Sequence, residues 1–402
     1  MNRLQSQNAV KSILTRYFTG LGSPLAWCTS AGPAEILRAL GFEVYFPENH
    51  GALLGASRTA GRYIPRAHQA GYANEVCSYL TADIGAYLVG ETPLADAYGL
   101  RSIPKPDLIV FNTNQCREVA EWFGFYAREF NCPVVGIYAP RHIDDVTTAD
   151  VNHVMQQFER LIGIGEEITG KPLNSTRLTE VLQLSKDASD LWKQVLQTAQ
   201  YSPAPLTFWD GTILMAPIVM LRGTRVAVDF YREALAELKR LQNDRLGAVT
   251  GEQVRLYWDG MPIWGRLRAL SDLCAENQAA VVASTYCNSW VFDDFDPDDP
   301  LRSMAYAYTQ IFINRGQEAK LRVLRAMLTD FRIDGVVFHD SKTCFNNTNS
   351  RFGLPERLRH ETGVPTLTID GDLNDLRFFS DGQVHTRLET FIVQLKSNKQ
   401  QL

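Results

Sequence analysis

Six short apolar runs, each rich in β-branched residues and closed by Gly, Pro or a polar turn, most constrain what this chain can fold into. They are PDLIVFN (106–112), CPVVGIYAP (132–140), VRLYWDG (254–260), AAVVASTY (279–286), DGVVFHD (334–340) and VPTLTID (364–370). Runs of this length read as strands buried on both faces. Helix-length stretches separate them, such as CREVAEWFGFYAREF and LRSMAYAYTQIFINRGQEAKLRVLRAMLTDF. Strand–helix alternation calls for parallel sheets covered by helices on both sides.

The strands fall into two clusters, one before about residue 150 and one after about residue 252, and the segment between them is helical by pattern. There Tyr231, Leu235 and Leu238 share one helix face, while YSPAPLT interrupts with prolines. The expected fold class is α/β: two Rossmann-like lobes with parallel sheets, joined by a helical insert. The expected division is a helical lead over 1–24, a first lobe over 25–150, a helical region over 151–250 and a second lobe over 251–402. Open α/β sheets bind ligands beyond the carboxyl ends of their strands, so two facing lobes would place those ends around one cleft.

The net charge of -5 argues against nucleic acid as a partner, since such proteins carry a basic stripe. The N-terminus MNRLQSQNAVKSILTRYFTGLG is amphipathic without the apolar centre of a signal peptide. No segment reaches the ~20 apolar residues of a membrane span. A cytoplasmic location without membrane association is the expectation. Seven cysteines, an odd number, then argue against a disulfide framework.

The contexts of those cysteines differ. Cys132 opens a strand and Cys274 lies on a helical face; both read as small buried hydrophobes. Cys28 and Cys287 end strands. Cys116 in FNTNQCREV and Cys344 in VVFHDSKTC occupy equivalent places, one per lobe: strand end, polar turn, thiol. A helix N-terminus lowers a thiol pKa and favours the metal-binding thiolate. Cys77 lies 39 residues before Cys116, and Cys344 follows it by 228, so no local metal-ligand signature exists. Burial as plain hydrophobes stays open for these as well.

Several blocks in order, AGYANEVCSYLTADIG, NQCREVAEWF, DGMPIW, VVASTY, DGVVFHDSKTC and GVPTLTIDGDLNDLRFFSDGQVHTRLETF, resemble the family of radical 2-hydroxyacyl-CoA dehydratases and ATP-dependent benzoyl-CoA reductases, in its larger substrate-binding type of subunit. The likeness covers nearly the whole chain. It implies a 4Fe–4S cluster on three cysteines, here Cys77, Cys116 and Cys344, with one iron position open. Thiolates suit such clusters, and an open position is what separates catalytic from structural metal sites. The resemblance also implies a heterodimer with a homologous second iron–sulfur subunit, an acyl-CoA substrate, and a separate ATP-hydrolysing iron–sulfur activator protein. No phosphate-binding G-x-x-x-x-G-K loop occurs in this chain, so ATP would act elsewhere.

In WCTSAGPAEILRALGFEVYFPEN the resemblance assigns Ser30 and Glu48 to the substrate cavity. A carboxylate in a dry cavity suits proton transfer; the bland alternative is a helix-capping Ser30 and a solvated Glu48. Met261 and Trp264 are candidate walls of an acyl pocket, or core. Lys342 is a candidate for a CoA phosphate, or a solvated turn lysine. His339 is a candidate site residue, or a core histidine. FDDFDPDDP (292–300) lacks the glycine of a calcium loop and reads as a polar loop. GDLND reads as a turn.

The family runs two reactions from one device, the injection of an electron into a thioester to give a ketyl-type radical anion. VCSYLTADIG, VVASTY and DPDDPL stand nearer the benzoyl-CoA-reductase subunit, whereas SAGPAEILRALGFEVYFPEN and IDGDLND stand nearer the dehydratase α subunit. FNNTNSRFG after Cys344 lacks the basic residue and proline that dehydratases place there. The expectation is a benzoyl-CoA-reductase-like oxidoreductase acting on an aryl-CoA. The alternatives are a 2-hydroxyacyl-CoA dehydratase subunit, a relative with an enlarged cluster that borrows Cys28 or Cys287, and a two-lobed binding protein with incidental cysteines.

Overall fold

In the computed structural model, which describes residues 4–400, eight parallel strands form two four-stranded sheets. β1 (Leu25–Cys28), β2 (Glu43–Tyr45), β3 (Leu108–Asn112) and β4 (Val134–Ile137) form the first, in the order β2-β1-β3-β4. β5 (Val254–Asp259), β6 (Ala279–Ser284), β7 (Gly335–Ser341) and β8 (Thr366–Gly371) form the second, in the matching order β6-β5-β7-β8. The expected α/β class with two parallel-sheet lobes is therefore what the chain adopts. All six predicted strands are present, and β1 and β2 complete the first sheet.

The composition explains the burial. Every residue of β1, β3, β5 and β6 is buried, as parallel strands covered on both faces require. The edge strand β8 is only partly buried. In each sheet the chain builds outward from the first strand, then crosses back to its other side. This makes β1/β3 and β5/β7 the two points where the winding reverses, and ligands of open α/β sheets bind at such points.

Between the sheets the chain is helical, in Thr148–Thr169, Ser175–Gln197 and Arg225–Asn243 and two short helices. Thr147 and Asp150 form a capping box that starts the first, and Asn174 caps the second. Tyr231, Leu235 and Leu238 are all buried, as their spacing implies. One hydrophobic core runs through both lobes and the helices between them.

The stretch 301–331 departs from the helix-length expectation. It is two helices, Pro300–Thr309 and Gln317–Asp330, with a turn between. The turn has a physical reason. Asn314 Nδ2 donates to Pro140 O and Thr309 O, both at 2.7 Å, and Gly316 N donates to Ile143 O at 2.7 Å. The break thus ties the second lobe to the segment after β4.

Candidate functional site

The carboxyl ends of β1, β3, β5 and β7 face one cavity of about 120 Å³. Cys116 follows β3 and Cys344 follows β7, so the two occupy matching places after matching strands. Cys77 arrives by a different route, as the residue preceding the helix Ser78–Val89. All three thiols line this cavity, together with Ser30, Glu48 and Met261. The chain thus gathers six sequence-nominated residues that its linear order scatters from 30 to 344.

Each of the three cysteines precedes a helical turn, and the backbone N–H three residues on, at Leu80, Val119 and Asn347, favours its thiolate. The sequence expectation of a lowered thiol pKa is nonetheless overturned. Burial is the largest influence on all three and pushes them up, Cys116 to about 12 and the others well above the usual thiol range. The thiols also raise one another: Cys344 and Cys116 act on Cys77, and Cys116 acts on Cys344. That mutual effect requires proximity. Burial thus disfavours the thiolate at all three, and a cation in their midst would reverse the logic.

Glu118, unmarked in the sequence reading, stands at this site too. It lines the cavity, its own carboxyl is raised by burial, and its charge acts on all three thiols. Its signal was its place two residues after Cys116. Among the described residues, no group of three or more His, Cys, Asp or Glu side chains converges as the ligands of one metal ion would.

Glu48 is in the first turn of the helix Pro47–Ala56 and is buried, not a solvated loop carboxylate. Its Oε1 accepts from Ser30 N at 2.9 Å. Its Oε2 has no partner. The Ser30 hydroxyl lies beside the carboxyl and favours its ionised form, but at no strict hydrogen-bond geometry. Burial pushes the Glu48 carboxyl up to about 7, against the opposing Ser30 contacts. Asn347, in the segment after Cys344, joins this set. It is buried at the cavity, donates from Nδ2 to Met261 Sδ at 3.2 Å, and leaves Oδ1 unpartnered. Asn49 Nδ2, also at the cavity, is a fourth polar atom without a partner; buried polar groups are normally paired, so four such atoms around one cavity point to a ligand.

A second, apolar pocket of about 320 Å³ adjoins the cavity, and Asn49, Ala52, Val219 and Tyr286 line both. Trp264 lines this pocket and donates from Nε1 to the hydroxyl of Tyr79, a cavity residue. Arg58 and Arg268 are its cationic groups. Arg268 is exposed, in a loose ion pair with Asp272 at 3.6 Å.

Two further nominated residues, unlike Trp264, line neither the cavity nor the adjoining pocket. His339 is fully buried in β7, bonds through Nδ1 to Met261 O at 2.7 Å, and is held neutral by burial. Lys342 is partly exposed and pairs with Asp370 at 2.7 Å. Cys28 and Cys287 also lie outside the cavity lining; Cys287 sits in a separate crevice with Ser284 and Phe208. No helix among the described residues is long and apolar enough to cross a membrane.

Comparison with known proteins shows the family. The family described as 2-hydroxyglutaryl-CoA dehydratase, D-component, matches residues 29–395. The (R)-phenyllactyl-CoA dehydratase alpha subunit of Clostridium sporogenes is 27% identical over 92% of this chain and 88% of its own. The lactoyl-CoA dehydratase subunit alpha of Anaerotignum propionicum is 27% identical over 94% and 92%. A benzoyl-CoA reductase subunit of Thauera aromatica is 28% identical over 86% and 82%.

Proposed function

The chain belongs to the 2-hydroxyglutaryl-CoA dehydratase D-component family, and from that premise we propose that it is the substrate-binding subunit of a radical-type 2-hydroxyacyl-CoA dehydratase. Its partner would be a homologous second subunit, since these relatives are themselves named as single subunits of their enzymes. Electrons would come from a separate ATP-hydrolysing activator, and the enzyme would work in the cytoplasm.

Cys77, Cys116 and Cys344 would hold a 4Fe–4S cluster. Three facts of the site fit this assignment: three mutually interacting thiols, one cavity, and backbone N–H groups that favour each thiolate. A cubane takes each cysteine on a different iron, so its thiols need not converge on one point. Bound there, the cluster supplies single electrons of low potential. Everything else would be the work of the chain: the adjoining apolar pocket would take the acyl-CoA arm, Arg58 and Arg268 would meet its phosphates, bound substrate would displace water from the cavity, and Glu48 would move protons from Oε2.

The observation that supports dehydration over ring reduction is the set of unpaired polar atoms on Ser30, Glu48, Asn49 and Asn347. A 2-hydroxyacyl group brings a hydroxyl to pair with them. An aryl ring would leave them buried and unsatisfied, at about 1–3 kcal/mol each. A site built for a hydroxyl rejects an analogue that lacks it. The second reading is the aryl-CoA reductase anticipated from the sequence. It is favoured by the aromatic side chains of Tyr79, Trp122, Tyr286 and Trp290 around the same cavity.

Anaerobic purification with iron and sulfide analysis, followed by EPR, tests both. About four irons per chain are expected for one cubane, and no iron would sink the cluster assignment. A shift of the cluster spectrum with a 2-hydroxyacyl-CoA but not with benzoyl-CoA supports dehydration; the reverse supports the reductase.

A further inference from the structure

The turn GDLND conceals a heavily bonded carboxylate of the second lobe. Asp372 has no exposed surface. Its Oδ2 accepts from Thr343 Oγ1 at 2.6 Å, Thr343 N at 2.9 Å and Ser341 Oγ at 3.3 Å. Its Oδ1 accepts from Asp375 N at 3.0 Å, Asn374 N at 3.1 Å and the Ser78 hydroxyl. Thr343 Oγ1 in turn accepts from Ser78 N at 3.0 Å. Ser78 and Thr343 are the immediate neighbours of Cys77 and Cys344, so one carboxylate bonds the two residues beside two thiols that come from opposite lobes. The web reaches Glu48 as well, because Asn374 Nδ2 donates to Gly51 O at 2.7 Å on the helix that carries it.

We propose that Asp372 is a positioning residue that sets the separation of Cys77 and Cys344 through Ser78 and Thr343, so that the cradle of the cluster is built before the cluster arrives. The chemistry favours this over simple packing. A carboxylate with six donors has its two oxygens fixed in direction, and each bond is charge-assisted or shared with one that is. Partners of metal ligands that hold those ligands in place are commonly as consequential as the ligands themselves. The proposal rests on the reading of Cys77 and Cys344 as cluster ligands.

The test uses the full chain purified anaerobically. Ser78→Ala combined with Thr343→Val deletes both hydroxyls through which Asp372 holds the two residues beside the thiols. The pair is expected to release iron to a chelator about tenfold faster or more, with an altered EPR line shape, while Ser78→Thr with Thr343→Ser, which keeps both hydroxyls, stays within about twofold of the parent. Asp372→Asn turns an amide NH2 toward donors on one side; it is expected to lose iron in the same way while the iron-free protein keeps its near-ultraviolet circular dichroism. If Asp372→Asn fails to fold, the double hydroxyl variant decides alone. Ser78→Ala with Thr343→Val and unchanged iron release and EPR overturns the positioning role. Cys344→Ser separates the two readings. If it keeps full iron content, the cluster assignment itself fails; if it loses iron while the double hydroxyl variant does not, only the role of Asp372 fails.

Discussion

Glu48 shows how far a residue's behaviour departs from its sequence context. In sequence it is a carboxylate two residues past an apolar run. In the fold it is buried and pushed up to about 7. In the unfolded chain it ionises at about 4.3. The folded protein therefore holds the proton more tightly. The stability this contributes is present below about pH 4 and is lost as pH rises through the window from about 4.5 to about 7, by up to about 3 kcal/mol. Glu48→Gln is expected to flatten this slope in iron-free protein and to be the more stable form at about pH 8. Urea unfolding across that range checks it, and a slope like the parent's would refute it. Asn347 supplies a second prediction. Asn347→Leu removes the unpaired Oδ1 and is expected to weaken 2-hydroxyacyl-CoA binding by about 1–3 kcal/mol, leaving the deoxy analogue nearly unaffected in titration calorimetry. At this scale Cys116 and Cys344 were legible, because strand end, turn and thiol are local features, whereas Cys77 was nominated only by the family resemblance. The direction of their pKa was not legible, because burial is a property of the whole fold.

At the scale of elements, the helix that begins after Cys77 is seated by a close crossing. A Cβ added at Gly85 would lie 2.1 Å from Tyr63 O, on the backbone of the helix Ala60–Gln69. Backbone cannot yield as a side-chain tip can. Gly85→Ala is expected to cost about 1–3 kcal/mol in equilibrium unfolding. Gly61→Ala, with nothing within 4 Å, serves as the control and is expected to be neutral or slightly stabilising. Equal effects from the two would show that the crossing is not tight. Strand identity was readable because an apolar β-branched run bounded by breakers has few alternatives. The turn within 301–331 was not. Its cause is a set of bonds to Pro140 and Ile143, more than 160 residues away in sequence, which no pattern within the stretch records.

For the whole molecule, the lobes and the helices between them meet at a buried ion pair. Arg222 has no exposed surface and lies 3.1 Å from Glu35 Oε1; its Nη2 donates to Gly32 O at 2.7 Å and its Nε to the Tyr308 hydroxyl at 3.1 Å. Tyr308 donates in turn to Glu35 Oε2 at 2.6 Å. Arg222→Ala strands a buried carboxylate and is expected to cost about 3–5 kcal/mol, whereas Arg222→Met combined with Glu35→Gln is expected to recover much of that loss. Denaturant unfolding of the three proteins decides it, and a double variant no better than Arg222→Ala would refute the account. What the amino-acid sequence determined by itself was the fold class, the six principal strands and the nomination of Cys77, Cys116 and Cys344, since these rest on local composition, local periodicity and blocks that keep their order. Only the tertiary structure decided which residues share the cavity, how Asp372 reaches two thiols at once, and which polar atoms stay unpaired. Those depend on contacts such as Ser78 with Asp372, 294 residues apart, and a contact at that separation leaves no trace in the spacing of a single chain.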